Sequence, residues 1–141
     1  MVNHMKFLTK VPLFSGLSEK QLDKLATRFV TRSYDVGEHI VIQGRGGAGL
    51  FIIVKGSAEA VVETGSGEKI QVNTFGETDF FGEIALLDDG PRTASVIATE
   101  ATECLVLSRE DFVSVLKNDA DLGLHIAEEL ARRLRRVVSA M

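Results

Sequence analysis

"LFIIVKGSAEAVVETGSGEKIQVNTF", Leu50 to Phe75, is the stretch whose reading decides the fold. It holds three short runs, "LFIIV", "AEAVV" and "IQVNTF", separated by the glycine-bearing breaks "KGS" and "TGSGE". Runs this short, apolar or alternating, read as strands. "ETGSGEK" between the last two predicts a hairpin tip. Outward from there, "HIVIQ" comes before, and "ASVIA" and "CLVL" come after, with "DVG" and "GRGGAG" as further breaks. Many short strands at close spacing, from Tyr34 to Leu107, predict an antiparallel sandwich or barrel.

On both sides the period becomes helical. From Met5 to Val30, "LSEKQLDKLA" offers Ser18 as N-cap with Gln21 three residues on, a capping box. Leu22, Leu25 and Phe29 then share a face, and Phe14 and Leu17 could staple the helix entry. After the strands, Ser108 can cap "REDFVSVL", and Asp119 or Asp121 can begin "LGLHIAEELARRLRRVV". Leu122, Ile126, Leu130, Leu134 and Val137 or Val138 form one stripe of that last helix. Glu128–Arg132 and Glu129–Arg133 are acid-then-base pairs worth roughly a few tenths of a kcal/mol each. No internal repeat, low-complexity segment or linker interrupts the chain. The expectation is one α+β domain over residues 1–141, an antiparallel, jelly-roll-like β-roll at about 34–107. An N-terminal helical part at about 5–30 and C-terminal helices at about 109–139 flank it.

Composition agrees with one folded core: 141 residues, 45% of them hydrophobic and 26% charged, which excludes a disordered or fibrous chain. A net charge of −4 supplies no electrostatic reason for nucleic-acid binding by this chain. No apolar run approaches the roughly 18 residues of a membrane span, and "MVNHMKFLTK" lacks the apolar stretch of a signal peptide. A cytoplasmic protein without a membrane partner is expected. The lone cysteine, Cys104 in "CLVL", reads as a buried free thiol.

Several motifs have bland readings. "GRGGAG" formally matches a dinucleotide fingerprint, but the run after it is strand-like, so a turn between strands is expected. His4, His39 and His125 are scattered, and neither a metal site nor a catalytic constellation is expected. "RRLRR", Arg132 to Arg136, sits downstream of Glu128 and Glu129 and reads as a solvated helix face.

"FGEIALLDDGPRTASV", Phe81 to Val96, is different. It places Glu83 and Arg92 among apolar residues, where a charge needs a partner. A Gly-Glu turn precedes a short apolar segment able to make one or two helical turns, whose free amides suit an anion. Arginine's planar fork of donors suits phosphate oxygens. A phosphate between that helix start and Arg92, with a sugar hydroxyl donating to Glu83, is one reading. A Glu83–Arg92 salt bridge with Glu83 capping its helix is the other.

"FGEIALL" followed by "PRTASV" resembles the phosphate-binding cassette of cyclic nucleotide-binding domains, as found in kinase regulatory subunits, nucleotide-gated channels and catabolite-activator-type factors. The likeness runs from about Val11 to the C-terminal helix, with "PLFSGLSEKQLDKLA", "YDVGEHIVIQG" and "LFIIVKGSAEAVV" similar to the family's entry helix and early strands. The resemblance implies that Arg92 pairs with the cyclic phosphate and Thr93 donates to it. The backbone amides of Ile84, Ala85 and Ala94 would approach the phosphate oxygens. Glu83 would accept from the ribose 2′-hydroxyl, Gly82 would allow close backbone approach, and Val72 and Phe75 would line the base pocket. Thr78 stands where the family commonly has glycine, which bears on the turn type. A hydroxyl at Thr93 resembles both cGMP-preferring kinase sites and bacterial-type cAMP sites.

The implied function is a sensor that binds cAMP, or cGMP as the second choice, without a metal, and moves its C-terminal helices on binding. Leu134, Arg132, Arg133 or Arg135 would cover the base. The rivals are a docking or homodimerisation module acting through the C-terminal helix, and the sensor half of a transcription regulator whose DNA-binding part is absent. An enzyme is not expected.

Overall fold

The computed structural model describes residues 4–45, 49–83 and 91–140. They divide into two compact units, Met1–Arg28 with Glu110–Met141, and Phe29–Arg109.

In the helical unit, α1 spans His4–Leu8, a 3-10 turn Pro12–Phe14, and α2 Glu19–Ala26. The capping box forms: the Gln21 amide donates to Ser18 Oγ at 3.1 Å, and Gln21 Oε1 accepts from the Ser18 amide at 3.0 Å. Leu22, Leu25 and Ala26 are the buried face of α2. Helices α3, Arg109–Asn118, and α4, Ala120–Ser139, follow the strands. Asp119 is the N-cap of α4, accepting from the Leu122 amide at 3.0 Å. That bond is the main reason its carboxyl titrates below the ordinary aspartate value. The cap therefore stabilises fully above about pH 4 and fades as pH falls through the folded value.

Leu122 and Ile126 are buried, whereas Leu134, Val137 and Val138, further along the same stripe, are exposed. Arg132 pairs with Glu128 at 3.6 Å and also with Glu129. Glu129, expected to engage Arg133, thus also serves the arginine one residue nearer.

The other unit is an antiparallel β-roll of two four-stranded sheets, as its sequence predicts. Its strands are β1 (Val30–Tyr34), β2 (His39–Val41), β3 (Gly49–Lys55), β4 (Ala58–Glu63), β5 (Lys69–Phe75), β6 (Phe80–Phe81), β7 (Ser95–Ala98) and β8 (Thr102–Ser108). The sheet orders are β1-β8-β3-β6 and β2-β7-β4-β5. Ile40, Phe51, Ile53, Ala60, Phe81, Val96 and Cys104 belong to one buried cluster. The "TGSGE" tip closes the β4–β5 hairpin, with the Gly67 amide donating to the Thr64 carbonyl at 2.9 Å and Gly67 at φ 85°. β1 begins at Val30, the last residue of the stretch read as helical; four of its five residues are exposed, so no apolar alternation marks it, and pairing with β8 makes it a strand.

Register slips add one unpaired residue on β2 (Ile40), β3 (Val54) and β5 (Val72). Such bulges bend a strand and re-aim its side chains.

After β5 the chain turns at Gly76–Asp79, where the Asp79 amide donates to the Gly76 carbonyl at 3.0 Å. Thr78, third in that turn, has φ 72°. A positive φ at this position alone is the mark of a type II turn, which favours glycine. A β-branched residue there is strained. Thr78→Gly is expected to raise stability by about 1 kcal/mol, and the melting temperature by roughly 3–5 °C. An unchanged or lower melting temperature would show that no strain is held at this turn.

Cys104 is fully buried, as expected. Burial, and secondarily the charge of Glu103, pushes its thiol up to about 12. Relative to the ordinary value of 9.0, this lowers the thiolate fraction at pH 8 about a thousandfold. Iodoacetamide at pH 8 is expected to leave the folded protein unmodified over a period in which the urea-unfolded chain reacts completely. Rapid labelling of the folded chain would contradict it.

Candidate ligand-binding site

Arg92 is placed by the connection between β2 and β3. Its backbone amide donates to the Arg45 carbonyl at 3.2 Å, and its carbonyl accepts from the Gly44 amide at 2.8 Å. The neighbouring Gln43 amide donates to Ser95 Oγ at 2.9 Å. The start of "GRGGAG" thus lies between strands, as expected, and pins the backbone of Arg92. Gly46, Gly47 and Ala48 lie outside the described residues.

The side chain of Arg92 points among apolar neighbours. Its Nη2 donates to the Gly49 carbonyl at 3.3 Å. Its guanidinium carbon lies 5.7 Å from the centre of the Phe51 ring. Nη1 is buried and has no hydrogen-bond partner among the described residues. Burial pulls the guanidinium below its ordinary pKa, and the charge of Glu83 works in the opposite direction. A buried cationic donor without a partner is costly unless an anion comes to it.

A cleft of about 350 Å³ adjoins this arginine, with Val41, Ile42, Arg45, Gly49, Phe51 and Arg92 among its walls. That lies within the range typical of small-ligand sites. Gly82, at φ 91°, comes so close to the Gly49 carbonyl and to Arg92 that a Cβ would sit 2.7 Å from Nη1. Phe81 stacks on Phe51 with ring centres 5.2 Å apart and planes within 2°. Phe75 packs on Phe81 at 5.1 Å.

The structure therefore brings Gly82, Glu83 and Arg92 together. Thr93 follows Arg92 on an exposed turn, and Ala94 packs against the roll's buried cluster. Ile84 and Ala85, whose amides the resemblance assigns to phosphate, lie outside the described residues. Val72 is 56% exposed at the β5 bulge. Phe75 is half-buried, and the described walls of the cleft include neither of these two. Sequence reasoning missed Val41, Gly44, Arg45, Gly49 and Phe51. They lie more than forty positions from Arg92, and only the folded register brings them to it.

Among the described residues, no group of three or more His, Cys, Asp or Glu could hold a metal. Nor is any described helix long and apolar enough to cross a membrane.

The family model of the cyclic nucleotide-binding domain matches residues 31–119. The cyclic AMP receptor protein of Thermus thermophilus is 36% identical over 124 residues, 88% of this chain and 57% of that protein. A cGMP-dependent protein kinase of Drosophila melanogaster, isozyme 1, is 34% identical over 123 residues, 85% of this chain and 16% of the kinase. Among solved structures, the regulatory domain of Toxoplasma gondii PKA, co-crystallised with cAMP, superposes with a TM-score of 0.82 at 28% identity. That match covers 94% of this chain and 49% of that one. The chain thus spans little more than half of the receptor and a small part of the kinase. The matched region takes in the roll from Thr31 onward and the whole of Phe81–Val96, and the chain belongs to the cyclic nucleotide-binding domain family.

Proposed function

We propose that this chain is a sensor for 3′,5′-cyclic nucleotides, with cAMP preferred over cGMP, and a regulatory module with no catalytic role of its own. The observation that carries the reading is the buried Nη1 of Arg92, without a hydrogen-bond partner among the described residues, beside a cleft of ligand size. A cyclic phosphate supplies the missing acceptor and the compensating charge. Thr93 and the amides of Ile84, Ala85 and Ala94 complete the phosphate's contacts. Glu83 accepts from the ribose 2′-hydroxyl, and the missing side chain of Gly82 admits the ligand backbone to backbone. Val72 and Phe75 give the base an apolar wall, Val72 being 56% exposed on a strand that is exposed for most of its length. The preference for cAMP rests on the receptor and on the cAMP-bound regulatory domain, against the cGMP-dependent kinase.

Occupancy is converted into movement of the C-terminal helices, which a ligand can bias only by its differential affinity for two states. Full switching requires about 5.5 kcal/mol of it. Leu134 is the residue best suited to cover the base, being apolar and 64% exposed, while Arg132 is held by Glu128 and Glu129.

Calorimetric titration with cAMP and with cGMP tests the reading. One site is expected, tighter for cAMP, with a matching rise in melting temperature. Tighter cGMP binding would reverse the preference. No heat and an unmoved melting curve at millimolar concentrations of both would leave a docking module. For that second reading, the exposed Leu134, Val137 and Val138 support a homodimer through α4, which sedimentation would detect. Attachment to a DNA-binding part, as in a transcription regulator, is compatible with the 57% span of the receptor.

A further inference from the structure

We propose that Phe51 is the positioning residue for the guanidinium of Arg92, so that an aromatic face on β3 sets the affinity for the anionic end of the ligand. The inference rests on the reading of Arg92 as the phosphate's partner.

The backbone of Arg92 is fixed by Gly44 and Arg45, but a long side chain keeps several rotamers unless its end is also held. The Gly49 carbonyl at 3.3 Å and the Phe51 ring at 5.7 Å hold it, and the charge of Glu83 acts on it as well. Gly49 and Phe51 are two positions apart on β3, so one strand supplies both, a backbone carbonyl from the first and an aromatic side chain from the second. The carbonyl contact is long and takes one donor. The ring attracts the cation without accepting any of its in-plane N–H bonds. That difference matters to a ligand: held over a ring, the guanidinium keeps donors for incoming oxygens, and Nη1, without a partner among the described residues, is such a donor.

Phe51 is itself locked. It is 8% exposed, its ring lies parallel to Phe81, and Phe81 packs in turn on Phe75. A buried ring at the end of such a row cannot turn without displacing Phe81, so the cation faces a fixed surface. A cation–π contact shielded from water is worth more than one at an exposed site.

A double-mutant cycle tests this, with cAMP titrated calorimetrically into wild type, Phe51→Met, Arg92→Ala and the double variant. A melting curve is recorded for each. Phe51→Met is expected to weaken binding about three- to tenfold in the wild-type background, and less than about twofold once Arg92 is absent. Phe51→Tyr keeps the ring face and is expected to stay within about twofold of wild type. Should the methionine variant fail to fold, Phe51→Leu carries the same cycle. Equal losses in both backgrounds, or a tyrosine variant as weak as the methionine one, would mean that Phe51 only fills space, and would overturn the inference alone. If Arg92→Ala binds as wild type does, the reading of Arg92 itself falls, and the inference with it.

Discussion

Arg92→Ala is expected to weaken cyclic-nucleotide binding about ten- to a hundredfold, with little change in the melting temperature of the ligand-free protein. The two halves of this expectation have one cause. In the folded chain Arg92 is half-buried, its one described side-chain hydrogen bond is long, and Nη1 has none among the described residues. Removing it gives up a long hydrogen bond, the contact with Phe51 and the charge facing Glu83, and against these relieves the cost of taking a cation out of water. With ligand present, the same group supplies charge-assisted hydrogen bonds, each worth about 1.5–3 kcal/mol. A fluorescent cyclic nucleotide measures the first half and a thermal melt the second. Unchanged affinity would remove Arg92 from the site. A large fall in melting temperature with unchanged affinity would make Arg92 a structural residue.

Gly82→Ala is expected to act on both quantities, lowering stability by roughly 3 kcal/mol and binding along with it. An alanine here must hold φ 91° and place its Cβ against the Gly49 carbonyl and Arg92. The carbonyl belongs to β3 backbone paired to β8, so it cannot swing aside as a side chain would. Displacing Nη1 relieves the contact with Arg92, whereas the contact with the carbonyl is relieved only by a shift of backbone. Gly65→Ala is the control, because nothing lies within 4 Å of a Cβ at that hairpin position. It should stay within about 0.5 kcal/mol of wild type. Denaturant melts of the two variants give the comparison. Equal stabilities would mean that the close approach at Gly82 is not a constraint.

Much of the architecture was legible because burial writes itself into residue order. "LFIIV" and "CLVL" had to be strands, being apolar runs too short for helices between turn residues, and they became β3 and β8. The Ser18–Gln21 box was readable because its two bonds span three residues. β1 was not readable: "VTRSY" exposes both faces and owes its strand to pairing with β8, about seventy positions away. Thr78 carried a partial signal, a threonine where the resembling family commonly has glycine. Its φ of 72° shows the turn keeping the glycine conformation without the glycine.

For the site, the sequence by itself determined which groups bear charge and which backbone positions lack a side chain: Glu83, Arg92 and Gly82 were all identified from one contiguous stretch. A contiguous stretch folds into a local shape, so its chemistry can be read locally. What only the tertiary structure decided is where the guanidinium of Arg92 points and what holds it there. Gly44, Arg45, Gly49 and Phe51 reach it through strand pairing and turn geometry. Residue spacing does not encode such contacts, because they depend on strand register, and one-residue slips such as those at Ile40, Val54 and Val72 re-aim the side chains of their strands.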